Sequence, residues 1–198
     1  MKHIVKQTEP ESFIVWKNKA NDVWKPNYAN IDKQERIDLF KSLKNEQGYI
    51  CCYCERELNE DDCHIEHFKP KDKTKFPELQ LEYSNLFCSC QVNTQKGEPL
   101  HCGNSKGNWF DESLLISPLD SNCEIRFKFT YDGQILPFHE NDVTAKTTIE
   151  KLQLNIDKLK NLRKGVIDAL FEDEDVSWYL EIKDGRFNEF YTTIKYLF

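Results

Sequence analysis

No stretch of the 198 residues is long and apolar enough to span a bilayer. The first residues also lack the charged segment, apolar run and cleavage site of an export signal. A soluble, cytoplasmic protein with no membrane partner is expected. Net positive charge is missing too: 27 Lys and Arg face 34 Asp and Glu, a formal charge of -7, which excludes a protein that coats nucleic acid through many phosphate contacts. The deficit is uneven. Residues 111–198 carry seventeen acidic against eleven basic side chains, whereas residues 64–110 are near balance, so local lysines can still meet a phosphate. No internal repeat and no low-complexity linker divides the chain.

Cysteine is plentiful, with eight residues, and in a reducing compartment Cys-x-x-Cys beside histidine reads as metal binding before it reads as a disulfide framework. Around that centre the periodicities are simpler. Phe13, Trp16, Ala20 and Trp24 predict a helix over residues 10–24, stopped by Pro26. Asp32 predicts the start of a second helix to about Asn45, with Ile37, Phe40 and Leu43 inward and Gly48 ending it. Residues 124–130 alternate Ile125, Phe127 and Phe129 with polar residues, Asp132-Gly133 turns, and residues 134–138 return, predicting a β-hairpin. Helices follow over 144–155 and 156–171, with a third from about Asp175.

The chemistry concentrates between Tyr49 and Asn108. Cys51-x-x-Cys54 has the spacing at which one turn offers two thiolates to a tetrahedral ion. Cys90 and Cys102 are expected to complete a structural zinc site, with Cys88 the alternative to Cys90. Cys52 reads as a buried small hydrophobe, and Cys63 and Cys123 lack a partner at useful spacing. The run His64-Ile65-Glu66-His67 is not the His-Glu-x-x-His of helical zinc proteases. Adjacent carboxylate and imidazole groups, with Asn85 and Asn104 further on, suit phosphodiester hydrolysis: a base for water and oxygen donors for a hard cation. In an extended strand His64 faces away from His67, which predicts a lesser role for it unless the strand end bends. His3 and His139 read as structural. Lys69, Lys71, Lys73 and Lys75 can position a phosphate backbone or simply form a solvated loop. The acidic run Glu55–Asp62 reads as a solvated turn, and the aromatic tail Phe187, Phe190, Tyr191, Tyr196 and Phe198 as packing against the preceding helices.

These motifs resemble the HNH, ββα-metal or His-Me finger, endonuclease family in its zinc-stapled form. The resemblance is carried by Cys51 and Cys54, Glu66-His67 with Pro70, Asn85-Leu86, Cys90 and Cys102, and Asn104 with Lys106-Gly107. That motif covers about residues 51–109; more narrowly, Cys52-Tyr53-Cys54-Glu55, Ile65-Glu66-His67-Phe68, Ser84-Asn85-Leu86 and His101-Cys102-Gly103-Asn104, followed by Ile116-Ser117-Pro118, are similar to the nuclease subunit of the Septu and retron-associated anti-phage systems, a likeness that extends more loosely through the hairpin and residues 154–163. The residue patterns predict an α+β fold packed as one unit, with a helical support over 1–48 and a β-hairpin with C-terminal helices over 111–198; between them the resemblance implies a zinc-stapled HNH core over 49–110. It implies His67 as general base, Glu66 and Asn104 as ligands of a catalytic Mg²⁺ or Mn²⁺, and Asn85 as the residue holding the loop and His67. Zn²⁺ would be structural. DNA would be the substrate, and an ABC/SMC-like ATPase of the same system the partner. Two departures stand: residues 91–101 separate the second cysteine pair, and Asn104 occupies a position that is His in many relatives, with His101 a competitor. The rival expectation is a zinc-stabilised nucleic-acid- or protein-binding module with a vestigial nuclease site.

Overall fold

A computed structural model describes residues 1–59, 62–72, 74–173 and 175–198. Helix α1 (Glu11–Lys17) buries Phe13 and Trp16, three residues apart, with their rings stacked at 5.7 Å. The helix is shorter than its periodicity predicts. The side-chain oxygen of Asn21 accepts the amides of Val23 and Trp24 at 2.9 Å, offering the backbone a turn in place of the helix. The edge of Trp24 then meets Trp16 at 5.6 Å, so the aromatic set still joins the core. Helix α2 (Lys33–Glu46) follows Asp32, whose side chain makes no capping bond. Its buried stripe runs through Leu39 and Leu43, one turn apart, while Ile37, read as inward, is 49% exposed.

Strands β1 (Cys63–His67) and β2 (Leu86–Cys90) pair antiparallel, with Cys63 opposite Cys90, Glu66 opposite Phe87 and His67 opposite Leu86. Short 3₁₀ turns at Pro77–Leu81 and Tyr83–Asn85 connect them. Helix α3 (Cys102–Lys106) comes next. Its first turn is fixed from two sides: Gly103 N–H donates to Ser89 Oγ at 3.1 Å and Cys102 N–H to the Leu152 carbonyl at 2.8 Å.

The expected hairpin is present as β3 (Phe127–Phe129) and β4 (Ile135–Pro137), with Phe129 opposite Ile135. It is shorter than expected, because residues 124–126 form a 3₁₀ turn that leaves Ile125 68% exposed. Helices α4 (Val143–Lys151) and α5 (Asp157–Phe171) pack behind it. Gly133 has φ +84°, and a Cβ there would lie 2.2 Å from the Lys160 carbonyl of α5, so the turn admits only glycine. The single C-terminal helix expected from Asp175 is two, α6 (Ser177–Leu180) and α7 (Tyr191–Leu197). Asp184 and Gly185 both take positive φ between them and turn the chain.

The architecture is α+β. Glu55 ties distant parts of it together: its buried carboxylate pairs with the Met1 ammonium at 2.7 Å and accepts Thr192 N–H at 2.8 Å, while its carbonyl accepts Phe190 N–H at 2.9 Å. Phe190 and Ile194 are buried, whereas Tyr196 and Phe198 stay almost half exposed. No helix among the described residues is long and apolar enough to cross a membrane.

Candidate functional site

Four sulfurs converge where the loop after α2, the end of β2 and the start of α3 meet. The Sγ atoms of Cys51, Cys54, Cys90 and Cys102 all lie within 4.8 Å of one another and are buried, with Cys54 and Cys90 3.5 Å apart. A tetrahedral zinc ion with Zn–S bonds of about 2.3 Å requires sulfurs about 3.8 Å apart, so the donor set fits this ion. Without a cation the cluster cannot ionise fully. Burial pushes the Cys102 thiol up, as does its hydrogen bond to Cys51; burial also opposes the Cys51 thiolate, but the neighbouring thiols, Cys102 foremost, pull its pKa down.

Cys88, the sequence alternative to Cys90, lies outside the cluster, with its Sγ 3.9 Å from the Phe40 carbonyl of α2. His101 turns toward the sulfurs, its Nδ1 3.3 Å from Cys102 and 3.7 Å from Cys90. A fully buried Arg163 stands nearby, donating to the carbonyls of Gly133 and Leu154 at 2.6 Å; burial lowers its pKa to about 10 against the opposing pull of Cys54 and Cys102. Sequence reading missed Arg163 because its interval on α5 reads as one more charged position between apolar ones.

Beside the cluster, β1 and the first turn of α3 enclose a cleft of about 200 Å³ lined by His64, Glu66, His67, Lys71, Asn104 and Asn108, among others. Alternation along β1 puts His64 and Glu66 on one face. His67 reaches the same cleft because the chain bends after it, and Lys106 and Asn85 hold the bend. Lys106 Nζ, buried, donates to the carbonyls of His67 at 3.0 Å and Phe68 at 3.3 Å and pairs with Glu66 Oε1 at 3.0 Å. The Asn85 side chain accepts Lys69 N–H at 2.7 Å and donates to the carbonyls of Lys69 at 2.9 Å and Leu79 at 3.1 Å. The expected separation of His64 from His67 is thus removed by the bend.

Glu66 is 7% exposed. Burial opposes its charge, but His64 and Lys106 outweigh that and hold its pKa below the ordinary carboxylate value. Its Oε1 also accepts from Tyr53 Oη at 3.1 Å. His67 is 4% exposed, meets the edge of Tyr28 at 4.5 Å, and places Nε2 3.0 Å from the Gln80 carbonyl. Burial first, and the Lys71 cation next, lower its pKa to about 4. At neutral pH the ring is uncharged, Nε2 carries the proton that the carbonyl accepts, and Nδ1 keeps the basic lone pair. Asn104 donates its amide nitrogen to the Gln91 carbonyl. Of the expected phosphate contacts, Lys69 pairs with Glu112 at 3.0 Å and Lys75 donates to the Asn108 carbonyl at 2.7 Å. Lys71 stands over the Tyr28 ring at 4.6 Å at the rim of the cleft. Lys73, and Glu60 and Asp61 of the acidic run, lie outside the described residues.

Fold and donors together define an α+β protein with a four-cysteine cluster able to hold zinc. The chain is 34% identical over 129 residues to a Vibrio cholerae serotype O1 biovar El Tor protein named "Retron Vc95 putative HNH endonuclease", a match covering 63% of this chain and 60% of that one. It is 29% identical over 210 residues to an Escherichia coli protein named "Retron Ec83 putative HNH endonuclease", covering 84% and 79%, and 29% identical over 147 residues to Bacillus thuringiensis Septu protein PtuB, covering 71% and 46%. The match thus spans less than two thirds of the Vibrio relative and less than half of the Septu protein. No protein-family model matches the chain. The resemblance to HNH proteins of retron and Septu systems, read from short motifs, therefore holds over most of the chain.

Proposed function

We propose that this chain is a metal-dependent HNH endonuclease that hydrolyses DNA phosphodiester bonds in the cytoplasm, as the effector nuclease of an anti-phage system working with an ATPase of the ABC/SMC-like class. The observation that carries this reading is the cleft itself. A neutral imidazole with its Nε2 proton committed to a carbonyl, a buried carboxylate and an Asn side chain face one space beside a thiol cluster suited to structural zinc. The names of the relatives support the same reaction class.

Glu66 and Asn104 would hold Mg²⁺ or Mn²⁺, and the donors fit: the amide nitrogen of Asn104 is committed to Gln91, which makes its oxygen the available ligand atom. When bound, such a cation supplies charge stabilisation at the departing 3′ oxygen. The protein's own groups do the rest. His67 Nδ1 accepts a proton from water, whose oxygen forms the new bond to phosphorus as the bond to the 3′ oxygen breaks. The leaving oxygen takes its proton from solvent. Lys71, without an ion-pair partner among the described residues, holds a phosphate at the rim, and Asn85 and Lys106 keep the bend that aims His67.

The test is His67→Ala, which should leave zinc content and far-UV circular dichroism unchanged while nicking of supercoiled DNA falls about 10²–10⁴-fold, the usual range for losing a positioned proton acceptor. A fully active variant would sink the assignment.

A further inference from the structure

Glu66 uses its two oxygens unequally. Oε1 is taken by Tyr53 and Lys106, whereas Oε2 faces His64 Nε2 at 3.8 Å with no protein donor at hydrogen-bond distance among the described residues. The other nitrogen of His64, Nδ1, is buried and has no hydrogen-bond partner among the described residues. The side chain is only 22% exposed, so this imidazole has been drawn largely out of water without a protein hydrogen bond in return, a costly arrangement unless something else occupies it.

What lies beside the pair is an opening kept by a glycine. Ser89, opposite His64 in the sheet, accepts the Gly103 amide and pulls the first turn of α3 down over this face. A Cβ on Gly103 would come within 2.5 Å of Glu66 Oε2 and 3.0 Å of His64 Nε2. The two heteroatoms therefore crowd a single point at which the backbone alone is admitted. Their separation is within reach of a shared cation: with metal–ligand bonds of about 2.1 Å, cis donors sit about 3.0 Å apart and trans donors about 4.2 Å, and the 3.8 Å pair reaches the trans spacing by moving apart a few tenths of an ångström. Asn104, one residue on, lines the same cleft.

We infer that His64 is a third ligand of the cleft's divalent cation, joining Glu66 and Asn104 through Nε2 and biasing the site toward Mn²⁺ over Mg²⁺. The bias follows from the donors: carboxylate and amide oxygens suit both ions, but an imidazole nitrogen favours a transition metal over the harder, reluctantly dehydrated Mg²⁺. This rests on the metal-dependent reading above and adds to it a residue and a preference. His67, with Nε2 bound to Gln80, remains the base and stays outside the ligand set.

The experiment is Mn²⁺ titration of the full-length, zinc-loaded chain followed by electron spin echo spectroscopy, which detects a directly bound ¹⁴N, on the wild type and on His64→Gln, His64→Asp and His67→Ala. Zinc content and thermal midpoint are checked for each. Wild type and His67→Ala should show the ¹⁴N modulation. His64→Gln should lose it and bind Mn²⁺ at least about tenfold more weakly, since losing even an outer-shell partner costs about 10–100-fold. His64→Asp supplies a carboxylate oxygen in place of the nitrogen, so it should recover affinity without the nitrogen signal and narrow the preference for Mn²⁺ over Mg²⁺. Modulation absent from the wild type, or unchanged in both His64 variants, would overturn His64 as a ligand while leaving a Glu66 and Asn104 site standing. A wild-type protein that binds no Mn²⁺ would overturn this inference together with the metal-dependent reading beneath it.

Discussion

Replacing Gly103 by Ala exchanges a hydrogen for a methyl group, and the structure specifies where it goes. The new Cβ would lie 2.5 Å from Glu66 Oε2, 2.9 Å from its Cδ and 3.0 Å from His64 Nε2. The carboxylate cannot simply retreat, because Oε1 is held by Tyr53 at 3.1 Å and Lys106 at 3.0 Å. Nor can α3 easily lift, since the Gly103 and Cys102 amides are bonded to Ser89 and Leu152. Overpacking of this kind costs about 1–3 kcal/mol, and Ala returns at most about 1 kcal/mol of helix propensity. A net loss of about 1–2 kcal/mol should lower the thermal midpoint by about 2–8 °C for a chain of this size. Activity should suffer more than stability, because a shift of about 1 Å in a reacting group can cost about 10²-fold. The assay is differential scanning calorimetry with zinc determination, beside Mn²⁺-dependent nicking. Shortening the crowded side chain in Gly103→Ala/Glu66→Asp should recover part of the lost stability, a coupling expected only of groups in contact. A Gly103→Ala protein with wild-type midpoint and nicking would refute the placement of α3 over Glu66.

Three further outcomes follow from the same geometry. Cys54→Ser, or exhaustive zinc chelation, should lower stability together with activity, since the four thiols form one buried cluster whose binding energy is partly folding energy; elemental analysis should give about one zinc per chain. Because the folded pKa of His67 is depressed to about 4, the unfolded chain binds the extra proton between about pH 6.5 and 4, so this residue's stabilising contribution is complete above about pH 6.5, falls as pH drops and is fully lost below about pH 4. Nicking should accordingly be flat from pH 7 to about 5; in Lys71→Met, without the nearby cation, the acid fall should begin at higher pH, and a wild-type midpoint near 6.5 would contradict the buried neutral ring. Deleting residues 190–198 should unfold or aggregate the protein, because it strips Glu55 of the Phe190 and Thr192 contacts and removes buried Ile194; a stable truncated protein would show that α7 is an appendage.

Much of the fold was legible because apolar spacing is a local property. Leu159, Ile167 and Leu170 recur at helical intervals and are buried on α5, and the alternation of Phe127 and Phe129 before Asp132-Gly133 gave the hairpin. The errors fall where a polar side chain intervenes. Asn21 turns the chain back at a point where the apolar interval alone would continue α1, and Asp184-Gly185 breaks the C-terminal helix in two. Ile37 was counted inward from its place in a repeat, but a helix face is chosen by what packs on it, and here that choice runs through Leu39 and Leu43. No pattern of spacing announces that the Met1 ammonium and Thr192 close on Glu55, since those contacts span more than fifty residues in each direction.

The site divides along the same line. Residue types fix which atoms can ligate, so four cysteines at motif spacing were enough to anticipate the cluster that the fold assembles. Strand periodicity fixes which residues share a face, and it correctly put His64 with Glu66. It failed for His67 because a β-strand's alternation ends with the strand, and what lies beyond depends on tertiary bonds: Lys106 pulling on the His67 and Phe68 carbonyls, and Asn85 clasping Lys69 from both sides of its peptide. Those two side chains convert opposite faces into one cleft. The same bend carries His67 Nε2 to the Gln80 carbonyl, a contact made by backbone and therefore invisible to any reading of side-chain types. The proposed base, His67, thus has its tautomer selected by a carbonyl thirteen residues away and its ring kept uncharged by burial. Lys106 serves both ends of the arrangement, bracing the bend through carbonyls and the carboxylate through charge. Its replacement by Met would be expected to disturb Glu66 and His67 together, whereas a substitution at either of those residues alone leaves the bend in place.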